Sequence, residues 1–235
     1  MNVTFFLPLL QGISHLVSPR TCRVCGCTLT ASERYLCLGC DAELPRTYQH
    51  KSQFNEIHRR LGHRTAVDKA AGWFYYKKGA AYAQMLVDAK YAQLPALAEE
   101  LGRKCALELQ ADGFFDGIDA LVPMPMHWWK RMCRGYNQAY EICRGVSEIT
   151  GLQIVEAVKA VKTHGVQSRN TREQRFHKIH DTMQPVADAD VCGKHVLLVD
   201  DIITTGASCA EALRALALAG PASISVLCLG LTMRQ

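Results

Sequence analysis

The sequence predicts an α/β protein: a parallel sheet with helices on both faces, behind a small four-cysteine module. Three observations carry this. Short apolar runs alternate with segments of helical period; one such run, VLLV, ends in two acids and a loop of small residues; and two Cys-x-x-Cys pairs stand near the N-terminus. The composition agrees. With 235 residues, 49% hydrophobic and 21% charged, the chain can bury a core, which excludes disordered, collagenous and coiled-coil classes. A balance of 27 Lys+Arg against 22 Asp+Glu, net +5, favours anionic partners such as nucleotide phosphates or nucleic acid. No apolar run approaches the ~18 residues that cross a bilayer.

Read in order, the N-terminal FFLPLL has no basic residue before it and no small-x-small cleavage pattern, so it is a poor secretory signal and is read as packing onto the body. Eleven cysteines cannot all pair, which points to a reducing, cytoplasmic setting. Cys22-x-x-Cys25 and Cys37-x-x-Cys40 give two thiolate pairs, each able to clasp one side of a tetrahedral Zn2+. Arg20, Arg23 and Arg34 would offset the thiolate charge; Cys27 either replaces Cys25 or stands by, and the spacing favours a bystander. The module is assigned to 1–48, a polar linker or arm to 49–78 and the main domain to 79–235. Within the latter, Gly79 to Gln110 reads as two helices interrupted at Pro95. There follow the strand IDALVP, a helix from Trp128 to about Ile149, the strand-like LQIVEAVKAV, the strand KHVLLVDD, a helix from Ala207 to Ala219 and the strand ASISVLCLGL.

The chemistry concentrates in HVLLVDDIITTGASCAEALRAL. Ligands of open parallel sheets sit beyond the carboxyl ends of strands, where Asp200 and Asp201 can take vicinal sugar hydroxyls or act through a metal. Thr204, Thr205, Gly206, Ala207 and Ser208 have small side chains that let backbone N–H groups turn inward, with a helix N-terminus behind them. Together they suit a pentose 5-phosphate. A receiver domain is excluded because only 34 residues follow Asp201, and a dinucleotide fold would want more glycines than Gly206 alone. Upstream, LVPMPMHWWKRMCRGYNQA puts Met126 and His127 after a strand, ahead of Lys130, Arg131 and Arg134. From His127 to His180 ten Lys/Arg face four acids, an excess suited to pyrophosphate or to single-stranded DNA beside Trp128, Trp129 and Tyr136.

The segment around Asp200 resembles the phosphoribosyl pyrophosphate (PRPP) motif of type I phosphoribosyltransferases: four apolar residues, two acids, three variable residues, then Thr-Gly-x-Ser. With VP-x-P-x-H, RGYNQA, Lys90-Tyr91 and Gln167-Ser168-Arg169, the chain resembles the ComF family of competence-associated proteins over nearly its whole length. The resemblance implies a type I phosphoribosyltransferase-like parallel sheet with a zinc module in front. PRPP with Mg2+ is the implied ligand, and DNA uptake and natural transformation the implied process, with the uptake machinery as partner. It gives Asp200 and Asp201 the ribose hydroxyls, Thr204 to Ser208 the 5-phosphate, and Arg169 and Arg172, in a loop from Val166 to Phe176, the pyrophosphate. No catalytic side chain is assigned: the chain either transfers a phosphoribosyl group to an unidentified acceptor or uses PRPP as a signal in handling single-stranded DNA.

Overall fold

The computed structural model describes residues 20–62, 66–91, 94–161 and 183–233. The apolar N-terminus, Arg169 and Arg172 lie outside them. The chain forms two compact units, one of residues 1–44 with 78–85, the other of 45–77 with 86–235.

The first unit holds the cysteines. Two tight turns, one at Cys22 to Cys27 closed by Gly26 N donating to Cys22 O and one leading into helix α1 (Leu38–Ala42) where Asp41 N donates to Cys37 O, are tied together by a bond from Arg23 N to Tyr35 O. Cys22, Leu29, Leu36 and Leu44 are buried. With Ala83 and Met85 these are the buried apolar side chains among the described residues of this unit, a small set of the kind that leaves small modules dependent on a metal or disulfides.

The second unit contains α2 (Glu56–Leu61), β1 (Ala70–Tyr76), most of α3 (Gln84–Tyr91), α4 (Pro95–Ala111), β2 (Ala120–Pro123), α5 (Trp128–Arg134), α6 (Gln138–Thr150), β3 (Gln153–Ile154), β4 (Val158–Ala160), β5 (Met183–Pro185), β6 (His195–Ile203), α7 (Ala207–Ala217) and β7 (Ser223–Thr232). Five strands form one sheet in the order β1-β7-β6-β2-β3, every pair parallel. β6 and β7 are buried along most of their length, as expected of strands covered on both sides. Val196 and Leu198 face a cluster with Leu213 and Leu216 of α7 and Ile57 and Leu61 of α2. Strand alternation sends Leu197 and Val199 to the other face, where α4 and α6 pack on each other and against the sheet. Those two helices approach so closely that a Cβ at Gly145 would run into the Glu99 carbonyl oxygen.

Three expectations need correction. The stretch 49–78 is no mere linker: α2 is capped by Asn55, and AAGWFYY forms the edge strand β1, paired to β7 from Ala70↔Val226 to Tyr76↔Thr232. A short continuous apolar run bounded by polar residues fits a buried strand, and its length of seven with Trp73, Phe74, Tyr75 and Tyr76 favours strand over helix. The helix expected from Trp128 to about Ile149 is two, because Gly135 takes φ 82° and the Asn137 side chain caps α6. LQIVEAVKAV likewise divides into β3, at the edge of the main sheet, and β4, which pairs antiparallel with β5.

Candidate functional site

β2 and β6 are parallel neighbours, so Met124 to His127 and Asp200 to Ser208 emerge at the same edge of the sheet. They line one cavity of about 470 Å³ together with Lys90, Lys130, Arg134, Asn137 and Gln138. Of the residues assigned from sequence, Asp200, Asp201, Thr204 to Ser208, Met126, His127, Lys130 and Arg134 all meet there. Arg131 does not: its exposed side chain points to Glu156 at 3.8 Å.

The acids lie within β6 rather than beyond it, Asp200 standing opposite Cys228 of β7. Adjacent strand residues point to opposite faces, and the two carboxyls accordingly have different surroundings. Asp201 Oδ2 is 2.8 Å from Lys90 Nζ. Asp200 is pushed up to about 8 by burial and by the neighbouring Asp201 carboxylate, against the weaker opposing effects of the Asp201 N–H and Lys90. Its Oδ1 accepts from Asp201 N at 2.8 Å.

The loop beyond is shaped by Gly206, at φ 83°, a conformation that L side chains adopt at a cost. A Cβ there would meet Arg60 and Leu61 of α2 at ordinary contact distance, so it is the backbone conformation that calls for glycine. Thr205 Oγ1 accepts from Ala207 N at 3.4 Å, while Thr204, Thr205, Ala207 and Ser208 are exposed toward the cavity. Behind them stands a residue that sequence reasoning missed. Arg60 is buried and donates to the carbonyls of Ile203 (3.4 Å) and Thr204 (2.5 Å), to Thr232 Oγ1 (3.0 Å) and to the Thr232 carbonyl. Arg60 thus holds the backbone of the loop from behind through its carbonyls.

On the opposite wall, the RGYNQA segment is a set of braces. Asn137 Nδ2 donates to Met124 O, holding the turn after β2. Tyr136 Oη donates to Ala89 O, and Gln138 Nε2 to the carbonyls of Ala89 and Lys90, fixing the end of α3. Arg134 donates to Gln138 Oε1 at 2.9 Å and lies 4.9 Å over the Tyr91 ring. The adjoining α5 exposes Trp128, Trp129 and Met132, the last at 70%.

In the other unit the sulfurs of Cys22, Cys25, Cys37 and Cys40 lie within 4.8 Å of one another, with Cys25 and Cys37 3.7 Å apart. Zinc–sulfur bonds of about 2.3 Å in a tetrahedron require sulfurs about 3.8 Å apart, so the four thiols can hold a metal such as zinc. Backbone donors prepare Cys22 as a thiolate: burial opposes the charge, but N–H groups of Cys25, Cys37 and Val24 outweigh it and bring the group down to about 6. Cys27 lies outside the set of four and is raised to about 12 by the neighbouring Cys25 and Cys37 side chains. Of the scattered cysteines, Cys105, Cys143, Cys209 and Cys228 are buried, whereas Cys133 and Cys192 are exposed.

Residues 138–232 match the family described as the phosphoribosyl transferase domain. Over 223 residues the chain is 26% identical to the DNA utilization protein YhgH of Escherichia coli (strain K12), covering 90% of each chain. It is 24% identical to the counterpart from Escherichia coli O157:H7, covering 93% of this chain and all of that one. Among solved structures it resembles the allosteric regulatory enzyme of purine biosynthesis, at 19% identity and a TM-score of 0.40, over 56% of this chain and 25% of that one. A hypoxanthine-guanine phosphoribosyltransferase from Bacillus anthracis gives 16% identity and a TM-score of 0.35, over 60% and 79%. This chain thus spans about a quarter of the first enzyme. Among the described residues no helix is long and apolar enough to cross a membrane. The chain thus carries a segment matching the phosphoribosyl transferase domain and is similar over about nine-tenths of its length to the DNA utilization protein YhgH, with a four-cysteine cluster ahead of that segment.

Proposed function

We propose that the chain binds PRPP with Mg2+ in this cavity and acts in the uptake or handling of DNA. The observation that carries the reading is the convergence of the two adjacent acids of β6, a loop of small residues, the His127 ring and the cations Lys130 and Arg134 on one cavity at the carboxyl edge of a parallel sheet. Asp200 and Asp201 take the ribose hydroxyls; Thr204, Thr205, Gly206, Ala207 and Ser208 take the 5-phosphate; Met126, His127, Lys130 and Arg134 take the pyrophosphate. Arg169 and Arg172 join the last group in this reading; Arg131, whose side chain points to Glu156, does not. Hard carboxylate oxygens beside a phosphate site suit Mg2+, which when bound would neutralise pyrophosphate charge. The side chains hold and orient the sugar, and the cations favour pyrophosphate departure electrostatically. The four thiols hold one structural Zn2+.

The DNA role rests on the homologue's name and on α5, where exposed Trp128 and Trp129 are followed directly by Lys130 and Arg131, a surface suited to base stacking with phosphate contact. Calorimetry with PRPP and Mg2+ tests the ligand: Asp200→Asn and Asp201→Asn each weaken binding ten- to hundredfold, the ~1.5 to 3 kcal/mol of a charged hydrogen bond. Unchanged affinity in both refutes the site. A pyrophosphate-release assay across acceptors separates a transferase from a PRPP-responsive DNA factor. Oligonucleotide titration across salt gives a log-log slope of ~0.7 per phosphate contacted, reduced base stacking in Trp128→Ala/Trp129→Ala, and no binding at low salt if DNA is not a partner.

A further inference from the structure

Resting on the PRPP reading, we infer that Lys90 is a ligand-binding residue of the cavity: the resident counter-ion of Asp201, which exchanges that carboxylate for the pyrophosphate when the site fills.

Lys90 ends a helix with no other evident call for a buried cation. Its Nζ lies 2.8 Å from Asp201 Oδ2, and the two side chains keep only 21% and 17% of their exposure. A pair this far from solvent pays a desolvation cost that an exposed pair avoids. The protein nevertheless fixes it firmly. Tyr136 and Gln138 bond the carbonyls of Ala89 and Lys90, and Arg134 secures Gln138 while lying over Tyr91. Side chains of three residues in RGYNQA are thus spent on holding the helix end that carries one ammonium group, against the acid that the sugar hydroxyls would need. Lys130, Arg134 and His127 line the same cavity, so an ammonium released from Asp201 finds a site already built for dense negative charge.

This arrangement distinguishes two classes of ligand. A sugar bearing pyrophosphate takes hydroxyl bonds at Asp201 and offers Lys90 a new anion, so Lys90 favours it. A bare divalent cation competes with Lys90 for the carboxylate and offers it nothing, so Lys90 opposes it. Removing the ammonium therefore has effects of opposite sign, which general damage to the fold cannot produce.

The experiment uses the full chain as wild type, Lys90→Gln, Lys90→Arg and Lys90→Gln/Asp201→Asn. Mn2+ binding is followed by electron paramagnetic resonance of the free ion, and PRPP with Mg2+ by calorimetry. We expect Lys90→Gln to bind Mn2+ several-fold more tightly, with the gain abolished in the double variant, and PRPP about ten- to hundredfold more weakly. Lys90→Arg retains PRPP affinity within about threefold because it keeps the charge. If wild type binds PRPP and Lys90→Gln binds it equally well, or if Mn2+ affinity does not rise, the inference is overturned and the PRPP reading stands. Wild type that does not bind PRPP overturns both. If Lys90→Gln does not fold, Lys90→Arg decides: a hundredfold loss of PRPP affinity in that folded variant also overturns the inference.

Discussion

Replacing Arg60 by alanine tests whether α2 supports the phosphate loop. The guanidinium keeps 1% of its side-chain exposure and is paired with Glu56 at 3.1 Å. It also bonds Ile203 O, Thr204 O and Thr232. Each charge-assisted bond contributes roughly 1.5 to 3 kcal/mol, but the bonds share one donor group and do not add. Breaking a buried pair costs about 3 to 5 kcal/mol; because Glu56 keeps 22% exposure and can rehydrate, the lower end applies. We expect Arg60→Ala to lose about 3 kcal/mol, read as a lower urea midpoint at constant slope, and Arg60→Lys to lose less because it keeps a charge for Glu56, though not to match wild type, since an ammonium lacks the fork that reaches several carbonyls at once. A folded Arg60→Ala within about 0.5 kcal/mol of wild type, the range of ordinary surface changes, refutes the bracing role.

The raised pKa of Asp200, about 8, has two consequences. A carboxyl whose folded pKa exceeds its unfolded value near 4 contributes stability below about pH 4 and loses it as pH rises from 4 to 8; since sugar hydroxyls need an acceptor, PRPP affinity rises between pH 6 and 8 with proton release, measured by calorimetry in two buffers, and Asp200→Asn removes that part of the dependence. Gly145→Ala, which sets a methyl group against the Glu99 carbonyl, costs about 1 to 3 kcal/mol as overpacking, read by chemical denaturation; no change would mean that α4 and α6 are not in contact. Elemental analysis finds about one zinc per chain, lost in Cys22→Ser and Cys40→Ser, with solubility falling further than PRPP affinity because structural metal contributes folding energy; full zinc in both variants contradicts the four-thiol site.

Much of the site is local in sequence, and those parts were legible. Val196 to Ser208 is one strand, turn and helix, so apolar run, acids and small residues appear in spatial order. The cysteine pairs are legible for the same reason, each pair closing one turn. What eluded the sequence is held by distant contacts. Arg60 and Thr204 are 144 residues apart, and Glu56 to Leu61 in isolation has the charged composition of an exposed arm. β1 was hidden by the polar stretch before it, although Ala70 to Tyr76 is buried over its first five residues. The break at Gly135 had a visible signal, glycine followed by Asn137 as cap, which the helical period of the flanking residues overrode. The RGYNQA braces could not be inferred from spacing, because their partners at Met124 and Ala89 belong to other elements.

The most direct test of the account is a crystal structure of the chain with PRPP and Mg2+. In it the 5-phosphate is expected against the backbone of Thr204 to Ser208, the ribose hydroxyls on Asp200 and Asp201, and the pyrophosphate toward His127, Lys130 and Arg134. Ordered PRPP bound elsewhere, with the cavity between β2 and β6 filled by solvent alone, would contradict it.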